Sequence, residues 1–125
     1  MHQVILITAT IYGILAIILG AFGAHAFRKI LTDEKLATFE VGVRYQMYGA
    51  LSLLIIGYQA DVEQTAVQWA YYGIAIGTFL FSFSIYFLSF ATYWNVRLRF
   101  LGPITPIGGL FLLSGWISLL ISFLP

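Results

Sequence analysis

The sequence has no cysteine, only three prolines, and only 9% charged residues, six basic and five acidic. The missing cysteine excludes disulfides, thiolate metal sites and a cysteine nucleophile, and with them the usual indicator of redox compartment. The missing charge excludes more. A soluble domain carries about 25% charged and about 45–50% apolar residues, whereas 61% of this chain is hydrophobic. A domain of 125 residues needs a polar skin over its core, and so few charged side chains cannot supply one. The net charge of +1 gives no basic face for nucleic acid. What remains is an integral membrane protein, a single membrane domain over residues 1–125 whose partner is the lipid bilayer. Its spans leave no length for a separate catalytic or receptor domain.

Long charge-free windows are what the sequence does have. No Asp, Glu, Lys or Arg occurs before Arg28, between Arg44 and Asp61, between Glu63 and Arg97, or after Arg99. A span needs about 20 apolar residues. The windows therefore predict four spans, at about 4–27, 41–60, 66–94 and 103–124. The fold class that follows is all-α, an integral membrane antiparallel four-helix bundle. The third span, as one helix, would be about 43 Å long and so must tilt, kink or project. Pro103 and Pro106 fall in the first turns of the fourth, where absent amide donors cost least. A cleaved signal peptide is the alternative for the first run, because Ala24-His25-Ala26 has the A-x-A form. Met1-His2-Gln3 lacks a basic leader and the run is too long for such a segment, so it is read as a retained helix.

The basic residues set an orientation. Arg28, Lys29, Lys35 and Arg44 follow the first span, and Arg97 and Arg99 follow the third. The turn after the second span has Asp61 and Glu63 and no basic residue. The positive-inside rule then makes loops 28–40 and 95–102 cytoplasmic and puts both termini outside. Tyr58, Trp69, Tyr71 and Tyr72 flank the outer turn, and Tyr93 and Trp94 mark the inner end of the third span. Thr32, followed by Asp33 and Glu34, can cap a helix in the first loop, either an interfacial helix leading into the second span or a solvated connector.

Association within a bilayer depends on close packing, for which small residues are the signature. Gly20, Gly73, Gly77, Gly108 and Gly115 are the candidate packing positions, Gly20 lying between Ala16 and Ala24. The plain reading is an internal four-helix interface; the alternative is that Gly73-x-x-x-Gly77 joins two copies. Polar groups near membrane depth are the candidate functional cluster: His25, Glu40, Arg44, Gln46 and Thr105. Glu40 and Arg44, four apart, can pair along a helix. Ser82, Ser84 and Tyr86 add hydroxyls that ordinarily bond to helix carbonyls or a neighbouring helix. A metal or haem site is disfavoured, since the second histidine, His2, belongs on the other face. No catalytic triad, carboxylate pair or phosphate loop occurs at workable spacing, so neither a cofactor nor an enzyme is expected.

Three stretches in order, Gly20-Ala21-Phe22-Gly23-Ala24-His25-Ala26, Phe39-Glu40-Val41-Gly42-Val43-Arg44-Tyr45-Gln46-Met47-Tyr48 and Gly102-Pro103-Ile104-Thr105-Pro106-Ile107-Gly108-Gly109, resemble the family of small bacterial membrane proteins that includes YwdK and YgdD. The resemblance extends over essentially the whole chain. It implies a multi-pass bacterial inner-membrane protein of unassigned function. Two departures stand out: Gly49 where similar proteins often have histidine, and Phe83 where they often have glycine. Two functions are therefore expected to compete. The first is a non-enzymatic structural or accessory protein that associates with itself or a larger membrane complex. The second is binding or transport of a quinone, lipid or other amphiphile within an oligomer.

Overall fold

The computed structural model describes residues 1–125, and every regular element is helical. The first charge-free window folds as α1 (His2–Ala26), followed by a 3₁₀ turn at Phe27–Lys29. Thr32 then starts α2 (Asp33–Gln59): its Oγ1 accepts from the Lys35 amide at 3.2 Å, with Asp33 and Glu34 in the first turn. Oxygen caps and early carboxylates satisfy the free amides and the positive end of the helix dipole. Residues 33–40 of the loop that follows the first span are thus the opening of one continuous helix that leads into the second span, and not a solvated connector.

The third window is a rod in three parts: α3 (Thr65–Thr78), a π-helical turn at Phe79–Phe83, and α4 (Ser84–Phe90). It stops at Phe90, short of Trp94. A turn follows in which Asn95 takes a left-handed φ of 54°, a conformation asparagine tolerates better than most residues. A 3₁₀ turn at Arg99–Leu101 precedes α5 (Ile104–Ser122). Three segments are long and apolar enough to cross a membrane: His2–Lys29, Thr65–Phe90 and Arg99–Ser122. The first half of α2 holds Asp33, Glu34, Lys35, Glu40 and Arg44, so its charge-free part is confined to the half beyond Arg44.

Successive helices run antiparallel, in registers set by glycine. Along α1 and α2, Gly57 lies against Leu6 and Ile5, Gly13 against Ala50, Gly20 against Val43, and Gly23 against Phe39. Gly49 and Gly42 set the contact of α2 with Thr78 and Tyr86 of the third rod. Between α3 and α5 the backbones themselves meet. A Cβ on Gly73 would stand 2.7 Å from the Gly115 Cα, and one on Gly77 would stand 2.6 Å from the Leu112 nitrogen. Gly73 and Gly77 are thus occupied by α5 of the same chain. Such close approach gives dispersion contact where no water is available to drive burial.

The interior has three layers. Ile5, Ala9, Leu53, Ile56, Val67, Tyr71, Ile74 and Ala75 form one apolar cluster towards the chain termini. Leu31, Leu36, Phe39, Tyr86 and Phe90 form another at the basic end, and Phe27 packs edge-on to Phe39 and Phe90 at 5.2 and 4.8 Å. Between them lie the buried polar residues Gln46, Thr78 and Ser82.

Candidate functional site

The middle layer is built on one face of α2. Gly42, Gln46, Gly49, Leu53 and Ile56 recur at four- and three-residue spacing, and all are buried. That spacing is one stripe of a helix, with Gln46 at its centre and glycines either side admitting the neighbouring rod. Gln46 is wholly enclosed, at 0% exposure. Its Nε2 donates to the Tyr12 carbonyl at 2.9 Å, and its Oε1 accepts the Tyr86 hydroxyl proton at 2.6 Å. The orientation of the amide is fixed by chemistry, because a carbonyl can only accept.

The surrounding hydroxyls are mostly engaged. Ser82, inside the π-helical turn, donates to the Gly42 carbonyl at 2.7 Å. Tyr12 donates its hydroxyl to the Ala75 carbonyl at 2.7 Å, so it ties α1 to both α2 and α3. Thr8 Oγ1 lies 3.1 Å from the Tyr71 hydroxyl and gives its own proton to the Val4 carbonyl, which leaves Tyr71 as donor. Ser89 bonds back to the Ile85 carbonyl. One group stands apart: Thr78 Oγ1 is buried against Gly49 without a hydrogen-bond partner.

The five residues of the expected cluster lie in four places. Glu40 and Arg44 are exposed and line a groove of about 290 Å³ between α1 and α2, with Leu19, Gly20 and Ala24 opposite. His25 is exposed on the last turn of α1. Gln46 faces inward, because two residues from Arg44 is about 200° around a helix. Thr105, on the first turn of α5, is 2.6 Å from Ser84 Oγ. Ser84 donates to the Phe81 carbonyl, so Thr105 is the donor of that pair. No three His, Asp or Glu side chains gather where they could hold a metal ion.

Sequence reasoning missed Tyr12 and Thr78 and took Tyr86 only as one of three hydroxyls. The buried stripe through Gln46 was the signal that could have located the layer. The two departures from the resembling family both fall beside it. Gly49 packs so tightly on Thr78 that even a methyl group would collide, and the Phe83 ring lies 4.8 Å from Phe79 and 5.5 Å from Tyr86.

The bonds through Gln46 form a short chain with a fixed direction. The path from Tyr86 through Gln46 ends on the Tyr12 carbonyl, which accepts but cannot pass on a proton. A second groove, about 350 Å³, opens between α2 and α5 and is lined by Tyr45, Tyr48, Gly49, Ser52, Ile74, Leu112, Leu113 and Trp116.

Residues 19–109 match the family described as Protein of unknown function (DUF423). Among similar proteins, a UPF0382 membrane protein of Staphylococcus haemolyticus is 42% identical over 103 residues, covering 82% of this chain and 80% of that one. One from Staphylococcus epidermidis is 37% identical over 122 residues, 98% of this chain and 96% of that one. The UPF0382 membrane protein YwdK of Bacillus subtilis is 34% identical over 125 residues, with 96% and 95% covered. No solved structure matches the chain.

Proposed function

The chain belongs to the DUF423 family and is a membrane protein, and from that premise we propose that it is a non-enzymatic structural or accessory component of a larger membrane assembly. The observation that carries this reading is the buried amide at the centre of the polar layer: Gln46 spends both ends of it on Tyr12 and Tyr86. An amide bonded this way holds three helices in register. The outer surfaces are available instead. On α5 only Gly108 and Gly115 are buried, so most of that helix faces lipid or a partner.

The topology we propose is four crossings of a bacterial cell (inner) membrane, with both termini outside and residues 28–40 and 95–102 cytoplasmic. Support for the α2 crossing comes from its neighbour. It pairs with α1 along nearly its whole length, from Gly57 beside Ile5 to Phe39 beside Gly23. Purification from native membrane in mild detergent tests the accessory role. It should retain a stoichiometric partner or a defined oligomer, whereas a clean monomer with nothing bound would count against it.

A second reading, binding of an amphiphile, is favoured by the two grooves that flank α2. Lipid and optical analysis of the same preparation would detect such a ligand, and its absence would remove that reading.

A further inference from the structure

Glu40 and Arg44 sit beside a stretch of α1 that is still apolar. Gly20 of α1 faces Val43, and a Cβ there would lie 3.2 Å from the Val43 Cγ1. From that level α1 continues to Ala26, about 9 Å further along its axis at 1.5 Å per residue. Arg44 is therefore inset from the end of α1, and Glu40 lies one turn nearer that end, where Phe39 packs on Gly23; both stand at the mouth of a groove walled by Leu19, Gly20, Ala24 and Val43. An ionisable side chain set against an apolar membrane segment, as Arg44 is, is costly and points to a role. The two charges are of opposite sign, one helical turn apart, both exposed and both lining the same groove.

We propose that this groove binds a zwitterionic phospholipid whose headgroup joins a primary ammonium to a phosphate. This inference rests on the amphiphile reading and goes beyond it in naming the headgroup. Arg44 presents a planar set of donors suited to phosphate oxygens. Glu40 offers acceptors to an ammonium with N–H bonds. The ethanolamine linker separates its two charges by a distance comparable with one helical turn, which is the spacing of residues four apart. An acyl chain then lies along the apolar wall formed by Leu19 and Val43. A phosphatidylcholine headgroup has the same charges but no N–H to give Glu40, and phosphatidylglycerol has the phosphate without the cation.

The test is native mass spectrometry of the full chain in mild detergent with phosphatidylethanolamine, phosphatidylcholine or phosphatidylglycerol of matched acyl chains. Phosphatidylethanolamine should be retained about fivefold better than the other two, the scale of one net hydrogen bond at an exposed site. Glu40→Gln should abolish its advantage over phosphatidylglycerol, and Arg44→Gln should weaken all three. The elution volume and helical circular dichroism of both variants should match the parent, since both side chains are exposed. Retention without headgroup preference, or variants that keep the parent preference, would overturn this inference and leave the amphiphile reading standing. Retention of none of the three would overturn it as well, and would leave the amphiphile reading only a ligand that is not a phospholipid.

Discussion

The Tyr86 hydroxyl donates to Oε1 of Gln46 across 2.6 Å, joining the rod formed by α3 and α4 to α2 at the centre of the molecule. Gln46 in turn holds α1 through the Tyr12 carbonyl. Three helices thus meet at one buried amide. Replacing it as Gln46→Leu strands the Tyr86 hydroxyl and should cost about 1–3 kcal/mol. Adding Tyr86→Phe removes the stranded group and should recover part of that loss. Unfolding in mixed micelles titrated with sodium dodecyl sulfate measures both, and strictly additive losses would contradict a direct Gln46–Tyr86 bond.

The α3–α5 contact predicts a contrast between glycines. Gly73→Ala, Gly77→Ala and Gly115→Ala each place a methyl against backbone, with nearest distances of 2.7, 2.6 and 2.8 Å. Backbone cannot yield as a side-chain tip can, so each should destabilise by about 1–3 kcal/mol. Gly109→Ala meets nothing within 4 Å and should be neutral or slightly stabilising. The same micelle unfolding assay ranks the four variants.

Thr78 and Gly49 form a matched pair. Thr78 buries a hydroxyl with no partner, so Thr78→Val keeps the shape, removes the unpaired group and should hold or raise stability by about 1 kcal/mol. Gly49→Ala should destabilise, because its methyl runs into Thr78. Combining Gly49→Ala with Thr78→Ala should restore most of the loss. A thermal melt in detergent reads all three, and a double variant no better than Gly49→Ala alone would refute the contact.

Much of the fold was legible in the position of charge. The windows around 4–27 and 103–124 lie close to α1 and α5, because an apolar run must satisfy its backbone internally and does so as helix. The Thr32 cap was legible because its signal is local: a hydroxyl, then two carboxylates. The extent of α2 was not, since charged residues mark where hydrocarbon ends and not where a helix ends. The π-helical turn was also hidden, because one added residue in the hydrogen-bond ladder leaves composition unchanged.

The candidate site was half legible. Depth grouped Gln46 and Thr105 with Glu40 and Arg44, but depth says nothing about direction around a helix. Gln46 points to the interior and Arg44 to the groove, although only Tyr45 separates them. The part played by Tyr12 depends on reach across distant sequence, to Gln46 and Ala75, which no local pattern encodes.

The account stands on four crossings with the basic end in the cytoplasm, and the absence of cysteine makes that directly measurable. Lys29→Cys and Glu63→Cys each introduce a single thiol at an exposed position, one at either end of α2. A membrane-impermeant maleimide should label Glu63→Cys on intact spheroplasts and Lys29→Cys only after lysis. Labelling of both from the same side would mean that α2 does not cross, and would contradict the account.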